Sequence, residues 1–242
     1  MKYFVIGGSG FIGQHFKNRL GKKIVENLDI DEGINSSTFT KCNILNQAEL
    51  NKIQTCKDDL TLIHLAAVHF DFQTQYFETN VEGTKNVLSF INKNKNIKKY
   101  VFFSSVATYG DSESGKDELS AQTPINDYGR SKLEAEKLII NWSKMNPHVQ
   151  IIIVRPAVVF GEYNFGNVFN LIKQINSKIY AIVGDGKNIK SIAYSKNLVD
   201  SVLFALENIN VNYYEYNYCD YPQLNTTDIS KKISNNKKMG RN

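Results

Sequence analysis

The beginning of this chain constrains its fold most: a short β-branched and aromatic run, residues 2–6, feeds directly into Gly7-Gly8-Ser9-Gly10-Phe11-Ile12-Gly13, and an amphipathic segment then reaches about Leu20. The pattern reads as strand, glycine turn, helix. Glycines at 7, 10 and 13 let the backbone turn tightly, bring N–H groups close to a diphosphate and set a helix N-terminus against negative charge. Gly8-x-Gly10-x-x-Gly13 also fits the dinucleotide fingerprint. A second apolar run, Ile24 to Leu28, ends in Asp29, about the distance expected for a carboxylate that holds an adenosine ribose. An Asp here repels the 2′-phosphate of NADP and no arginine lies nearby, so the expected cofactor is NAD; Asp31 takes the role if the strand runs two residues longer.

Downstream, the pattern alternates helix and strand. A helix is expected near Asn46–Thr55, a buried parallel strand over Leu60–Ala67, a long helix over about Gln75–Asn92, and a strand Tyr100–Phe103 that delivers Ser104 and Ser105 to the ligand-binding edge of the sheet. After a polar loop over 111–126, Asp127 reads as the N-cap of a helix with Ala135, Leu138, Ile139 and Trp142 facing inward and Pro147 stopping it. Its first turns carry Tyr128-Gly129-Arg130-Ser131-Lys132, which puts a phenol and an ammonium on one helix face. With 13 tyrosines and 25 lysines in the chain, composition alone supplies about one Tyr-x-x-x-Lys, so the motif draws its meaning from its surroundings. Strand Val149–Val154 ends in Arg155-Pro156. The looser remainder predicts a helix near Val168–Ile175, a strand around Ile179–Val183, a turn Gly184-Asp185-Gly186, a helix Ser195–Glu207, a strand Tyr213–Tyr218 and a last helix from about Thr226.

Length and composition narrow the class. The 242 residues, 42% hydrophobic and 22% charged, suit one α/β domain with a small appendage, without an apolar run of membrane-spanning length. Residues 3–6 are too short an apolar run for a signal peptide, so a cytoplasmic protein is expected. The net charge of +5 resides in the last twelve residues, where Lys231, Lys232, Lys237, Lys238 and Arg241 meet no acid. We read this as a solvated end and expect neither nucleic acid nor membrane as partner. Cys42, Cys56 and Cys219, with His15, His64, His69 and His148, show no disulfide or metal-ligand spacing, so no metal is expected.

Taken in order, these pieces resemble the extended short-chain dehydrogenase/reductase family, in particular its nucleotide-sugar epimerases and dehydratases. The resemblance runs through the glycine turn, Asp29, His64-Leu65-Ala66-Ala67, Asn80 to Leu88, Phe103-Ser104-Ser105-Val106-Ala107-Thr108-Tyr109-Gly110, the Tyr128 to Lys132 stretch, Arg155-Pro156, and Gly184 to Tyr194. It implies a Rossmann-type doubly wound parallel sheet over residues 1–160, completed by parts of 189–218, and a small, apparently shortened C-terminal substrate-binding region over 161–242. It implies that Gly7, Gly10, Phe11, Ile12 and Gly13 hold the pyrophosphate of NAD and Asp29 its adenosine ribose. Asn43 and Ile44 fall where the family has Asp and an aliphatic residue against adenine; Leu65, Ala66 and Ala67 line the cofactor with Asn80 behind them. Ser105, Tyr128 and Lys132 match the catalytic set, Ser105 also touching substrate, and Lys190 matches a contact to nucleotide phosphate.

In that chemistry a base takes the proton of a sugar hydroxyl as hydride leaves for nicotinamide. A phenol of pKa about 10 is a poor base, so Lys132 is expected to help lower it. Family dehydratases carry Asp-Glu after the catalytic threonine; Val106 and Ala107 stand there instead and exchange no proton. The resemblance therefore favours a nucleotide-sugar epimerase, of 4-epimerase type, over a dehydratase. A nucleotide-4-ketosugar reductase and a shortened NAD(P)-binding protein without turnover are the alternatives, and a homodimer is the family's common assembly.

Overall fold

The computed structural model describes residues 1–33, 38–68, 75–112, 114–177, 179–182 and 184–239, the side chains of 236–239 excepted. His69, Val183, Arg241 and the side chains of Lys237 and Lys238 lie outside the described residues. In chain order, β1 (Lys2–Ile6) leads into α1 (Phe11–Leu20), followed by β2 (Ile24–Asp29), β3 (Phe39–Lys41), α2 (Gln47–Lys52) and β4 (Leu60–His64). Then α3 (Gln75–Phe77), a π turn over Glu78–Glu82 and α4 (Gly83–Lys93) run on to β5 (Ile97–Phe103). Next come α5 (Asp127–Met145), β6 (Gln150–Pro156), β7 (Val158–Phe160) and α6 (Asn167–Asn176). The chain continues through β8 (Ile189–Lys190), β9 (Ile192–Tyr194), α7 (Ser195–Asn208), β10 (Tyr213–Tyr218), β11 (Leu224–Asn225) and α8 (Thr226–Met239).

Seven strands form one parallel sheet in the order β10-β6-β5-β4-β1-β2-β3, a Rossmann-type doubly wound α/β fold. Alternation along each strand sends side chains to both faces, and both are apolar because both are covered. Phe4, Leu62, Tyr100, Phe102, Ile151 and Ile153 pack with Val87, Phe90, Ala135 and Ile139 of α4 and α5. Val5, Ile63, Val101, Ile152 and Val154 face the other way, against Phe16 of α1 and Leu198, Val199 and Val202 of α7. Order reverses between β1 and β4, so the C-terminal strand ends around that point open a crevice.

Several local expectations are corrected. Asn126, not Asp127, caps α5: its side chain accepts the Gly129 N–H at 2.8 Å, while Asp127 sits inside the first turn and pairs with Arg130 at 2.6 Å. Leu60–Ala67 is strand only to His64, α2 is shorter than expected, and the long helix is interrupted by its π turn. Residues 179–182 form no strand; Ile179 is 74% exposed, and no sheet edge receives it. The short strands there pair locally, β8 with β11 and β7 with β9. Helix α6 packs on α8 and buries none of its own residues.

Candidate active site

The glycine turn, the ends of β2, β4, β5 and β6, the start of α5 and the loop before α6 enclose a cleft of about 1050 Å³. Gly7 has φ +80°, and a Cβ there would stand 2.3 Å from the Ala66 nitrogen, so glycine alone lets this turn lie against residues 65–67. Gly10 is the N-cap of α1, whose first turn has neither a side-chain cap nor an acidic residue. Its N–H groups are therefore open to an anion, and the diphosphate of a dinucleotide fits this cradle.

At the end of β2, the Asp29 carboxylate accepts the Ser9 N–H at 2.9 Å through one oxygen and the Ile30 N–H at 2.7 Å through the other. Each oxygen keeps a lone pair for a ribose hydroxyl. Asp31 lines the same cleft beyond the strand end, so Asp29 holds the strand-end place. Asn43 and Ile44 line the cleft too; the Asn43 amide oxygen already accepts the Leu45 N–H at 2.9 Å and has one further lone pair to give. Phe11, Ile12, Gly13, Leu65, Ala66 and Ala67 complete this wall. Asn80 is buried one layer behind, in the π turn, where it bonds both the N–H and the carbonyl of Val68 and donates to the Ser131 hydroxyl at 2.9 Å.

Ser105, Tyr128 and Lys132 meet on the far side of the cleft. Ser105 caps the turn 106–109 by accepting the Ala107 N–H at 3.1 Å, and its hydroxyl acts to lower the pKa of the Tyr128 phenol. Gly129 lets α5 come this close, because a Cβ there would lie 2.4 Å from the Ala107 carbonyl oxygen. Burial raises the phenol pKa, the Ser105 bond opposes it, and Tyr76 adds to the rise; Lys132 is not among these influences. Lys132 is 2% exposed, donates to the Phe103 carbonyl at 2.8 Å and stands 4.8 Å from the Phe102 ring centre. Burial brings its pKa down to about 7, with Glu136 pulling the other way.

Beneath Lys132 lies a buried ion pair. Arg155 donates to Glu136 through Nε at 2.9 Å and Nη2 at 2.8 Å, and to Glu215 at 2.8 Å, while Ser104 and Gln122 also bond Glu136. Arg155 reaches Tyr109 at 2.8 Å as well, so β5, β6, β10 and α5 are cross-tied directly under the site.

Lys190 is not brought to the cleft: it sits exposed on β8, paired with Leu224. Sequence reasoning missed the loop 161–166, of which Tyr163, Asn164, Phe165 and Gly166 line the cleft. Its signals were Gly161 and Gly166 bracketing two aromatics. Tyr163 holds a left-handed φ of +70°, and the His15 imidazole lies 3.0 Å from the Glu162 carbonyl, tying α1 to this loop. The loop ends at α6, whose N-terminus also lines the cleft and has neither a side-chain cap nor an acidic residue in its first turn.

The chain is similar to known proteins along nearly its whole length. A relative from Escherichia coli O157:H7, N-acetyl-alpha-D-glucosaminyl-diphospho-ditrans,octacis-undecaprenol 4-epimerase, is 37% identical across 97% of this chain and 72% of its own. Among solved structures, UDP-N-acetylglucosamine 4-epimerase from Methanobrevibacter ruminantium M1, in complex with UDP-N-acetylmuramic acid, superposes with a TM-score of 0.82 at 23% identity, over 97% of this chain and 81% of that one. The UDP-glucose 4-epimerase of Thermus thermophilus, in complex with NAD, gives 0.82 at 19% identity, over 97% and 83%. The NAD dependent epimerase/dehydratase family model matches residues 3–218. With its dinucleotide cradle and strand order, the chain belongs to that family and is an NAD-dependent enzyme of the short-chain dehydrogenase/reductase type.

Proposed function

We propose that the protein is a 4-epimerase of a sugar carried on a diphosphate, with residues 1–160 and β10 holding NAD and the region beyond 160 holding substrate. One observation carries the reading: two uncapped helix N-termini, of α1 and α6, line the same cleft, with Ser105, Tyr128 and Lys132 also on its wall. Each is suited to one diphosphate, the first to that of NAD and the second to that of the substrate. Both the E. coli relative and the M. ruminantium structure are named for 4-epimerases of diphosphate-linked sugars.

NAD, when bound, supplies the hydride acceptor that also returns the hydride. Tyr128 takes the proton of the sugar hydroxyl and gives it back, its phenol within hydrogen-bond reach of Ser105, which fixes the same sugar oxygen. Lys132, held by the Phe103 carbonyl, keeps two further protons to orient the nicotinamide ribose. Val106 and Ala107 follow Ser105 and exchange no proton, which favours epimerisation over loss of water. The nucleotide is one carrier for such a sugar; the E. coli relative is named for another, an undecaprenyl diphosphate.

Tyr128→Phe is expected to retain NAD and to lower turnover about 10²- to 10⁴-fold, with a deuterium placed at sugar C4 returning to C4 in the wild type. Undiminished turnover by the variant, or loss of that deuterium to solvent, removes the assignment.

A further inference from the structure

We infer that the carrier end of this cleft takes a polyprenyl diphosphate, and that the small region beside it rests on the membrane surface bearing that lipid. The inference rests on the epimerase reading and adds the substrate class. Around the N-terminus of α6 the cleft wall sets Val158, Val159, Tyr163 and Phe165 beside Asn164 and Asn167; Val158 is 46%, Tyr163 53% and Phe165 74% exposed. Phe165 meets Phe169 edge to face at 5.2 Å, and Phe169 is itself 42% exposed, so the apolar surface continues from the cleft onto the helix.

A nucleoside needs polar partners for its base and ribose. Asn164 uses one lone pair and one N–H within the loop, accepting the Gly166 N–H at 2.6 Å and donating to the Val159 carbonyl at 3.2 Å, which leaves this end of the cleft few polar groups for a base and ribose. Among the described residues lining the cleft, Lys132 is the one basic side chain, so the diphosphate that both kinds of carrier share is left to the helix N-terminus and the carriers differ here only in the group beyond it. An isoprenoid asks only for apolar contact, which this wall offers.

The second observation is charge. Helix α8 packs on α6 and carries exposed Lys231 and Lys232, the start of the stretch that holds the whole net charge of +5; the inference thus departs from the expectation, drawn from the sequence alone, of a solvated end without a membrane partner. Exposed aromatics beside a lysine-rich helix match an anionic bilayer surface, where apolar groups enter the interface and lysines meet headgroups. Among the described residues no helix is long and apolar enough to cross a membrane, so this contact is peripheral.

Two arms test it on the full chain with NAD bound. In the first, the protein is sedimented with vesicles of two-thirds phosphatidylcholine and one-third phosphatidylglycerol. Binding is expected to these and not to phosphatidylcholine alone, with Lys231→Glu/Lys232→Glu and, separately, Phe165→Ser/Phe169→Ser each lowering partition at least about fivefold while NAD stoichiometry is unchanged. In the second, farnesyl-diphospho-N-acetylglucosamine is compared with UDP-N-acetylglucosamine, and kcat/KM is expected to be at least about tenfold higher for the lipid form. Failure to sediment, or variants that sediment like wild type, overturns the inference whatever the turnover. Equal or better use of the UDP sugar assigns the site to a nucleotide carrier and also overturns it, leaving the epimerase reading intact. If the protein sediments as expected but epimerises neither sugar, the epimerase reading fails while the membrane contact stands.

Discussion

The β6 strand and the α6 helix lie close in sequence and differ sharply in how they are held. Six of the seven residues of β6 are buried, and its Arg155 is locked between Glu136 and Glu215; α6 buries none of its ten residues. The first belongs to the half that carries Ser105, Tyr128 and Lys132, the second to the region proposed to meet the carrier. Chemistry that depends on placement to a fraction of an ångström is set on a close-packed sheet, while recognition of a repetitive apolar chain needs contact area and little geometry.

The largest effect that would break this comparison is at the buried pair. Arg155→Met leaves Glu136, fully buried, without its counter-ion, and is expected to cost about 3–5 kcal/mol of unfolding free energy, read from urea denaturation. The matching change in the small region, Lys187→Met, removes a lysine that is 84% exposed and 3.6 Å from Asp185, and is expected to leave the urea midpoint unmoved. Equal losses for the two variants would mean that the regions are not held differently.

That contrast also decides how much could be read from the sequence. The cofactor half was legible because local pattern and final packing agree: β1, the glycine turn and α1 form where they are written, and Ser105 arrives at a strand end. The pairing of β10 with β6 was not legible in detail, since it joins residues about 60 apart in sequence and depends on Glu215 meeting Arg155. Two adjacent Asx residues made the α5 cap ambiguous, and side-chain geometry chose Asn126. In the small region the apolar pattern misled. Ile179 reads as strand, but with no edge to pair with it remains exposed, and Lys190 followed its strand pairing away from the cleft. The cleft-lining residues of the loop 161–166 had no periodicity to announce them, and the left-handed φ of Tyr163 is a conformation that a non-glycine residue does not signal in sequence.

A smaller effect sharpens the comparison through pH. His64, at the end of β4, is 1% exposed, lies 2.8 Å from the Tyr100 hydroxyl, and is pushed from 6.5 to about 3 by burial and then by Lys132. Between those values the unfolded chain binds a proton that the folded chain refuses, so stability falls as pH falls through that window. Lowering the pH from 6.5 to 5.5 is expected to cost about 1 kcal/mol through this group. The double variant His64→Leu/Tyr100→Phe, which removes both partners and orphans neither, is expected to flatten that limb of the stability curve. A limb that persists unchanged in the double variant would place the acid sensitivity outside the sheet core.

The smallest expected effect on the fold is the most telling for the other region. Phe169→Ser removes half of the ring pair with Phe165, and because Phe169 is 42% exposed on a helix with no buried residue, unfolding free energy is expected to change by no more than about 0.5 kcal/mol. The same change at Phe90, 1% exposed under the sheet, empties core volume and is expected to cost several times more. On that outcome the pair of Phe165 and Phe169, which begins at the cleft wall, is surface available for contact with something else. If Phe169→Ser instead destabilises the protein as much as the Phe90 change, the pair is the small region's own core, and its apolar character is explained without a lipid.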